Sequence, residues 1–227
     1  MTRVKIILTY FKVPGLGKSS NKRSYSTRPI VTAVLVDGGF YRRRAFSLFG
    51  DKSPDDRAQE LVTYCRRHIT ESRSSLYRIF YYDCPPSEKV IFHPLSRKQV
   101  NLGKSDQFQW TNQFFAALTK KRKVALRRGE ELETQRGYTL KSKPLKQLCN
   151  GAISVSDLTE DDFLLEITQK GVDMRIGLDI ASLAERGTVN QIVMITGESD
   201  FVPAAKHARR EGIDFVLDPL WATVTRA

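Results

Sequence analysis

Four acidic residues stand at positions where a chain of this pattern could do metal chemistry: Asp37, Asp173, Glu198 and Asp200. Asp37 ends the apolar run Val34-Leu35-Val36. Asp173 follows Lys170-Gly171-Val172 and opens a helical pattern. Glu198 and Asp200 lie in Thr196-Gly197-Glu198-Ser199-Asp200-Phe201, after the apolar run Ile192-Val193-Met194-Ile195 and before a helical face of Phe201, Ala204, Ala205 and Ala208. Acids at the carboxyl ends of parallel strands occupy the place where α/β folds put their sites. With no obvious cationic partner in sequence, they point to a hard divalent cation, Mg²⁺ or Mn²⁺. The chemistry such a set serves is phosphodiester hydrolysis, which needs an activated water and stabilisation of a leaving oxyanion; two metal ions roughly 3.5–4 Å apart do both. Thr196 could hydrogen-bond a carboxylate or a water. Asp179 lies six residues after Asp173, a poor match to one helix face, and is expected behind the ligands or in a structural role.

Each acid also has a plainer reading. Asp200 could cap the helix that starts at Phe201, Asp173 could cap its own helix, and Asp37 before Gly38-Gly39 could be a turn residue. Gly38-Gly39 and Gly197 would admit close approach of a phosphate. Other chemistries lack support: there is no Walker-type loop, no dinucleotide fingerprint and no nucleophile elbow. The histidines, His68, His93 and His207, are scattered, and the three cysteines, Cys65, Cys84 and Cys149, share no metal-like spacing, which predicts a reduced, cytoplasmic setting.

Charge is unevenly spread over the 227 residues, whose formal net charge is +12. Residues 1–44 hold ten Lys/Arg and one acid; residues 96–148 hold thirteen and four; residues 149–227 reverse the sign, with seven basic and thirteen acidic residues. One part of such a chain suits a polyanion and the other suits cations, and nucleic acid is the natural partner. The candidate contacts are Arg42 and Arg43 beside the first acid, and Lys120, Lys121, Arg122, Lys123, Arg127 and Arg128. Tyr41, Trp110, Phe114 and Tyr138 could stack on unpaired bases. The longest apolar runs are too short to span a bilayer, so no membrane partner is expected.

The elements that must position these residues follow from periodicity. Strands are expected at Val31–Val36, Leu76–Tyr82, Ile192–Ile195 and Ile213–Leu217, with a short one near Tyr138. Helices are expected at 55–70, 105–128, 173–186 and 201–210. Their alternation predicts a three-layer α/β fold with a mainly parallel central sheet. Residues 1–30 read as a flexible extension, 31–220 as one domain with a basic elaboration at 96–148, and 221–227 as a tail.

The quoted segments resemble the NYN domain family, a branch of the PIN-like nucleases. Val34 to Phe40 is similar to its first strand and acid, Lys170-Gly171-Val172-Asp173 with Gly177-Leu178-Asp179-Ile180 to its central acidic motif, and Ile195 to Pro203 to its final one. The resemblance covers about residues 31–220. It implies a PIN-like (Rossmannoid) sheet and metal-dependent endoribonuclease activity on single-stranded or structured RNA. By that analogy Asp37, Asp173 and Asp200 are catalytic metal ligands, with Glu198 assisting. The family commonly has Asp where this chain has Glu198, and the added methylene changes the reach of that ligand. Two other outcomes stay open: an RNA-binding or regulatory module without catalysis, and a phosphatase or DNA nuclease built on the same acids. Oligomeric state is not legible.

Overall fold

Apolar runs of four to six residues, bounded by Gly, Pro and acids, build the centre of the molecule. The structure is a computed structural model and describes residues 29–130, 137–167 and 169–222. Most of the expected N-terminal extension, residues 1–28, and residues 223–227 of the expected tail lie outside them. In chain order the elements are β1 (Val31–Asp37), α1 (Gly38–Phe49), α2 (Pro54–Glu71), β2 (Ser75–Asp83), β3 (Val90–Phe92), β4 (Gln99–Asn101) and α3 (Asp106–Thr119). Then follow β5 (Val124–Arg128), β6 (Tyr138–Leu140), α4 (Ser142–Cys149), β7 (Phe163–Leu165), α5 (Val172–Glu185), β8 (Gln191–Ile195), α6 (Val202–Arg210) and β9 (Asp214–Asp218).

The central sheet has the order β5-β2-β1-β8-β9, and every neighbouring pair is parallel. Side chains alternate across it, as the period of two requires. Val34, Val36, Ile79, Tyr81, Val193 and Ile195 pack under α1, α2 and α3; Ala33, Leu35, Tyr82, Ile192 and Met194 pack under α5 and α6. The result is the expected three-layer arrangement. Two antiparallel hairpins, β3–β4 and β6–β7, stand outside the sheet. His93 joins them, its ring 4.6 Å from that of Tyr138 and 5.1 Å from that of Phe163.

Two expectations about the basic stretch need correction. The helix predicted over 105–128 ends at Thr119, and its last third is strand β5 at the sheet edge. Val124-Ala125-Leu126 pairs with Ile79-Phe80-Tyr81, and Lys123 turns the chain with a left-handed φ of 64°. Residues 96–148 are therefore not a single elaboration: α3 buries Phe114, Phe115 and Leu118 in the core, and β5 completes the sheet. At the other end of the chain, Trp221 of the expected tail is largely exposed but lies edge-on to Phe49 and Tyr64.

The chain leaves β1 towards β2 and β5, then returns to the other flank of β1 as β8. The crevice outside β1 and β8 is thus the topological switch point of the sheet, where open α/β folds bind ligands.

Candidate active site

Asp37 and Thr196 close the two strands that flank this crevice. Val36 is in register with Ile195, so the next residue of each chain meets across the gap, and the Thr196 hydroxyl donates to Asp37 Oδ2 at 3.2 Å. Asp37 Oδ1 accepts the Phe40 N–H at 3.1 Å. Asp37 is therefore the N-cap of α1, a role expected of Asp, and each oxygen keeps lone-pair capacity for a further partner. Asp37 is 3% exposed and Thr196 is fully buried.

The capping readings of the other acids do not hold. Asp173 is the second residue of α5, whose N-cap is Gly171; Asp200 sits in a single 3-10 turn ahead of α6, whose N-cap is Phe201. Asp173, Glu198 and Asp200 are exposed, and their carboxylates take no hydrogen bond or ion pair among the described residues, although the Glu198 N–H donates to the Thr196 hydroxyl at 3.3 Å.

The acids nonetheless feel one another. Burial pushes the Asp37 carboxyl above its usual range; the Phe40 N–H, the Thr196 hydroxyl and the positive charge of Arg43 pull it back, and the Asp173 charge adds to the rise. Partial burial raises Asp173, and the charge of Asp200 raises it further. Glu198 is raised by burial and by Asp37, Asp173 and Asp200, and lowered by Arg43. Among the described residues this is a cluster of like charges with Arg43 as the cation that acts on it. Among the described residues, no three His, Cys, Asp or Glu side chains converge tightly enough to form a closed metal cage. The donor set still fits a hard divalent cation in chemistry, since Mg²⁺ retains several waters and uses one or two carboxylates.

A raised acid takes up its proton at higher pH folded than unfolded, so its contribution to stability is full below the unfolded pKa and is lost as pH rises through the folded value. Removing one charge from the cluster should relieve that loss. Asp173→Asn is expected to melt at a higher temperature than wild type at pH 7.5, with the two converging near pH 4, as thermal denaturation across pH would read.

The structure adds an acid that the sequence reading passed over. Asp83 closes β2 as Asp37 closes β1, but it is fully buried and already neutralised. It accepts from Arg42 Nη2 at 3.1 Å, Gln169 Nε2 at 2.7 Å, the Cys84 N–H at 2.8 Å and the Tyr81 hydroxyl at 3.2 Å. Arg42 Nε is also 3.1 Å from Asp83 without being aimed at it, a contact of charge rather than a directed bond. Burial raises the Asp83 carboxyl, and the Arg42 charge opposes that rise most strongly.

This placement redistributes the predicted nucleic-acid contacts. Arg42 is committed to Asp83, whereas Arg43, one residue on, is exposed. Arg127 forms a two-pronged pair with Asp179, its Nε and Nη2 at 2.8 and 2.6 Å, and Tyr82 donates to the same carboxylate at 2.8 Å. Asp179 thus serves the β2–β5–α5 packing and not the acid cluster. Arg128 lies over the Phe115 ring. Lys120, Lys121, Arg122 and Lys123 precede β5 and so stand at the amino end of the parallel sheet, opposite the acids; Lys121 Nζ bonds Gln59 at 3.0 Å, and Lys123 Nζ bonds the Leu76 carbonyl. Of the glycines expected to admit a phosphate, Gly38 and Gly197 are packing positions, whereas Gly39 lines an open cleft. A Cβ on Gly38 would meet the Tyr82 carbonyl at 2.5 Å, and one on Gly197 would enter the Phe40 ring. Of the candidate stacking aromatics, Tyr41 and Phe114 are core residues.

A five-stranded, all-parallel sheet flanked by helices is consistent with a PIN-like fold. The NYN domain matches residues 95–222, more than half of the chain, and the protein belongs to the NYN domain family, within the PIN-like nuclease superfamily. That membership points to a nuclease-type function related to RNA. The matched segment holds Asp173, Glu198 and Asp200; Asp37 joins them through the fold. No curated protein matches the chain. Among solved structures it is similar to a protein of unknown function from Vibrio parahaemolyticus RIMD 2210633, at 11% identity and a TM-score of 0.42 over 85% of this chain and 82% of that one, a likeness too distant to carry an argument. Among the described residues no helix is long and apolar enough to cross a membrane.

Proposed function

We propose that the protein is a Mg²⁺- or Mn²⁺-dependent endoribonuclease. The observation that carries the reading is the group of mutually repelling acids at the sheet's switch point, two of them pulled down by a single cation, Arg43. Among the described residues, Arg43 is the one cation whose charge offsets Asp37 and Glu198, and it leaves this group of acids with an excess of negative charge that a divalent cation would balance. Asp37, Asp173, Glu198 and Asp200 would hold the metal. When bound, it supplies a water of lowered pKa and positive charge opposite the developing oxyanion.

The chain's own groups do the rest. The Thr196 hydroxyl and the Phe40 N–H fix Asp37 in one orientation; such supporting bonds tune a ligand and typically matter 10- to 100-fold. Arg43 is the cation placed to meet a phosphate beside the acids. The cluster from Lys120 to Lys123, at the far end of the sheet, would contact backbone at a distance from the cut.

The alternative, an RNA-binding protein that does not cleave, draws on the absence of a closed three-ligand cluster among the described residues. One panel separates the readings: labelled single-stranded RNA, the matching DNA and a small phosphate ester, each with Mg²⁺, Mn²⁺ or chelator. The proposal expects internal cutting of RNA, dependent on metal and lost in Asp200→Asn. RNA binding without cutting under any metal supports the alternative, and cutting that Asp200→Asn leaves intact removes the site.

A further inference from the structure

Helix α1 begins at the acid site and carries a second feature away from it. Gly39, Arg42, Arg43 and Phe46 fall at i, i+3, i+4 and i+7, which puts them on one face of the helix. That face lines an open cleft of about 600 Å³ to which α3 contributes Asp106, Gln107 and Trp110. The size is that of a small-ligand site.

The lining chemistry is mixed in a specific way. Phe46 is 61% exposed, so its ring is open to a ligand, while Trp110 is partly buried and held in place. Its indole N–H donates to the Lys52 carbonyl at 3.0 Å, and its ring stacks on Phe114 with centroids 5.1 Å apart. Asp51 and Asp106 line the cleft with Arg42, Arg43 and Arg57; Arg42 is paired with Asp83 and Arg57 with Glu60, so the cleft offers carboxylate acceptors for the amino donors of a base edge and Arg43 for an adjoining phosphate. Arg43 belongs to both places: it lines the cleft, and its charge is felt by Asp37 and Glu198. Nine helical steps lead from Asp37 to Phe46, about 13.5 Å along the axis, the reach of a neighbouring nucleotide rather than the one being cut.

We propose that this cleft is a subsite for an unpaired nucleobase of the RNA strand, with Phe46 as the stacking surface and Arg43 holding the phosphate between base and acids. The inference rests on the RNA reading of the acid site but concerns binding alone. A base in the cleft must be free of a partner strand, so the subsite selects single-stranded over duplex RNA at that position.

The test uses the full chain in chelator, so that no cleavage intervenes, with a labelled single-stranded oligoribonucleotide and its duplex followed by fluorescence anisotropy. Phe46→Ala is expected to weaken single-strand binding roughly 5- to 150-fold, the range of one base–aromatic stack, and to leave duplex binding unchanged. Phe46→Tyr is expected to restore it. Because Phe46 is largely exposed, these variants should fold as wild type does, which circular dichroism would check. Unchanged single-strand affinity in Phe46→Ala, an equal loss on duplex, or no rescue by Tyr would overturn the subsite. The endoribonuclease reading fails separately, if metal-supplied wild type binds the strand through Phe46 and never cuts it.

Discussion

Asp37→Asn is expected to abolish RNA cleavage, by at least 100-fold, while leaving the protein at least as stable as wild type. The two halves of this prediction rest on different roles of one side chain. As the α1 N-cap, Asp37 accepts the Phe40 N–H, and Asn performs that task as well as Asp does. As a buried carboxylate whose charge is already disfavoured by burial, it loses nothing in stability by becoming a neutral amide. As a metal ligand, however, it loses its negative charge and one acceptor oxygen; supporting residues alone cost 10- to 100-fold at metal sites, so a ligand should cost more. Asp37→Ala serves as the contrast, since it removes the cap as well, at about 1 kcal/mol. Cleavage rates and urea denaturation of the two variants check both parts. An active Asp37→Asn would reduce the residue to its capping role.

Arg42→Ala is expected to damage the fold rather than the chemistry, by about 3–5 kcal/mol, the cost of leaving a buried charge without its partner. Asp83 is fully buried and cannot turn to solvent. The Tyr81, Cys84 and Gln169 donors remain, but none carries charge. Domains of this kind have only about 5–15 kcal/mol in total, so the variant should melt far below wild type. Its deficit should also depend on pH. Without Arg42 the Asp83 carboxyl is raised further in the folded state, and a raised group loses its stabilising contribution as pH rises through the folded pKa. The deficit is therefore larger at pH 8 than at pH 5. Calorimetry at the two values checks this; equal deficits would mean that the Asp83 charge is not what Arg42 stabilises.

The same pair shows where sequence reading stops. Asp83 was visible as the end of a strand, yet its partner lies 41 residues earlier and is brought to it by the packing of α1 on β2. Arg42 and Arg43 are neighbours with the same charge, and only the helix phase separates an inward residue from a solvent-facing one. Helix α1 itself was hidden by Gly38-Gly39, which read as a turn; the structure uses Gly38 because the Tyr82 carbonyl leaves no room for a Cβ. Val124-Ala125-Leu126 is too short a run to tell a strand from the end of a helix by period alone. What was legible follows from strong local signals. The runs before Asp37 and Thr196 are uniformly apolar because both faces of their strands are covered, and the alternation of strands and helices implied the parallel sheet. The four acids sit at strand ends or helix starts that those signals marked, whereas the partners of Asp83 and Asp179 depend on contacts across the fold.

Binding of Mn²⁺ to the wild-type chain and to Asp200→Asn, followed by titration calorimetry at pH 7.5 without RNA, tests the acid site most directly. The account predicts saturable binding by wild type, weakened at least 10-fold in Asp200→Asn and again in Asp37→Asn, consistent with ligands acting on one ion. Wild-type protein that binds no Mn²⁺, or variants that bind it with unchanged affinity, would contradict the assignment of these acids as a metal site.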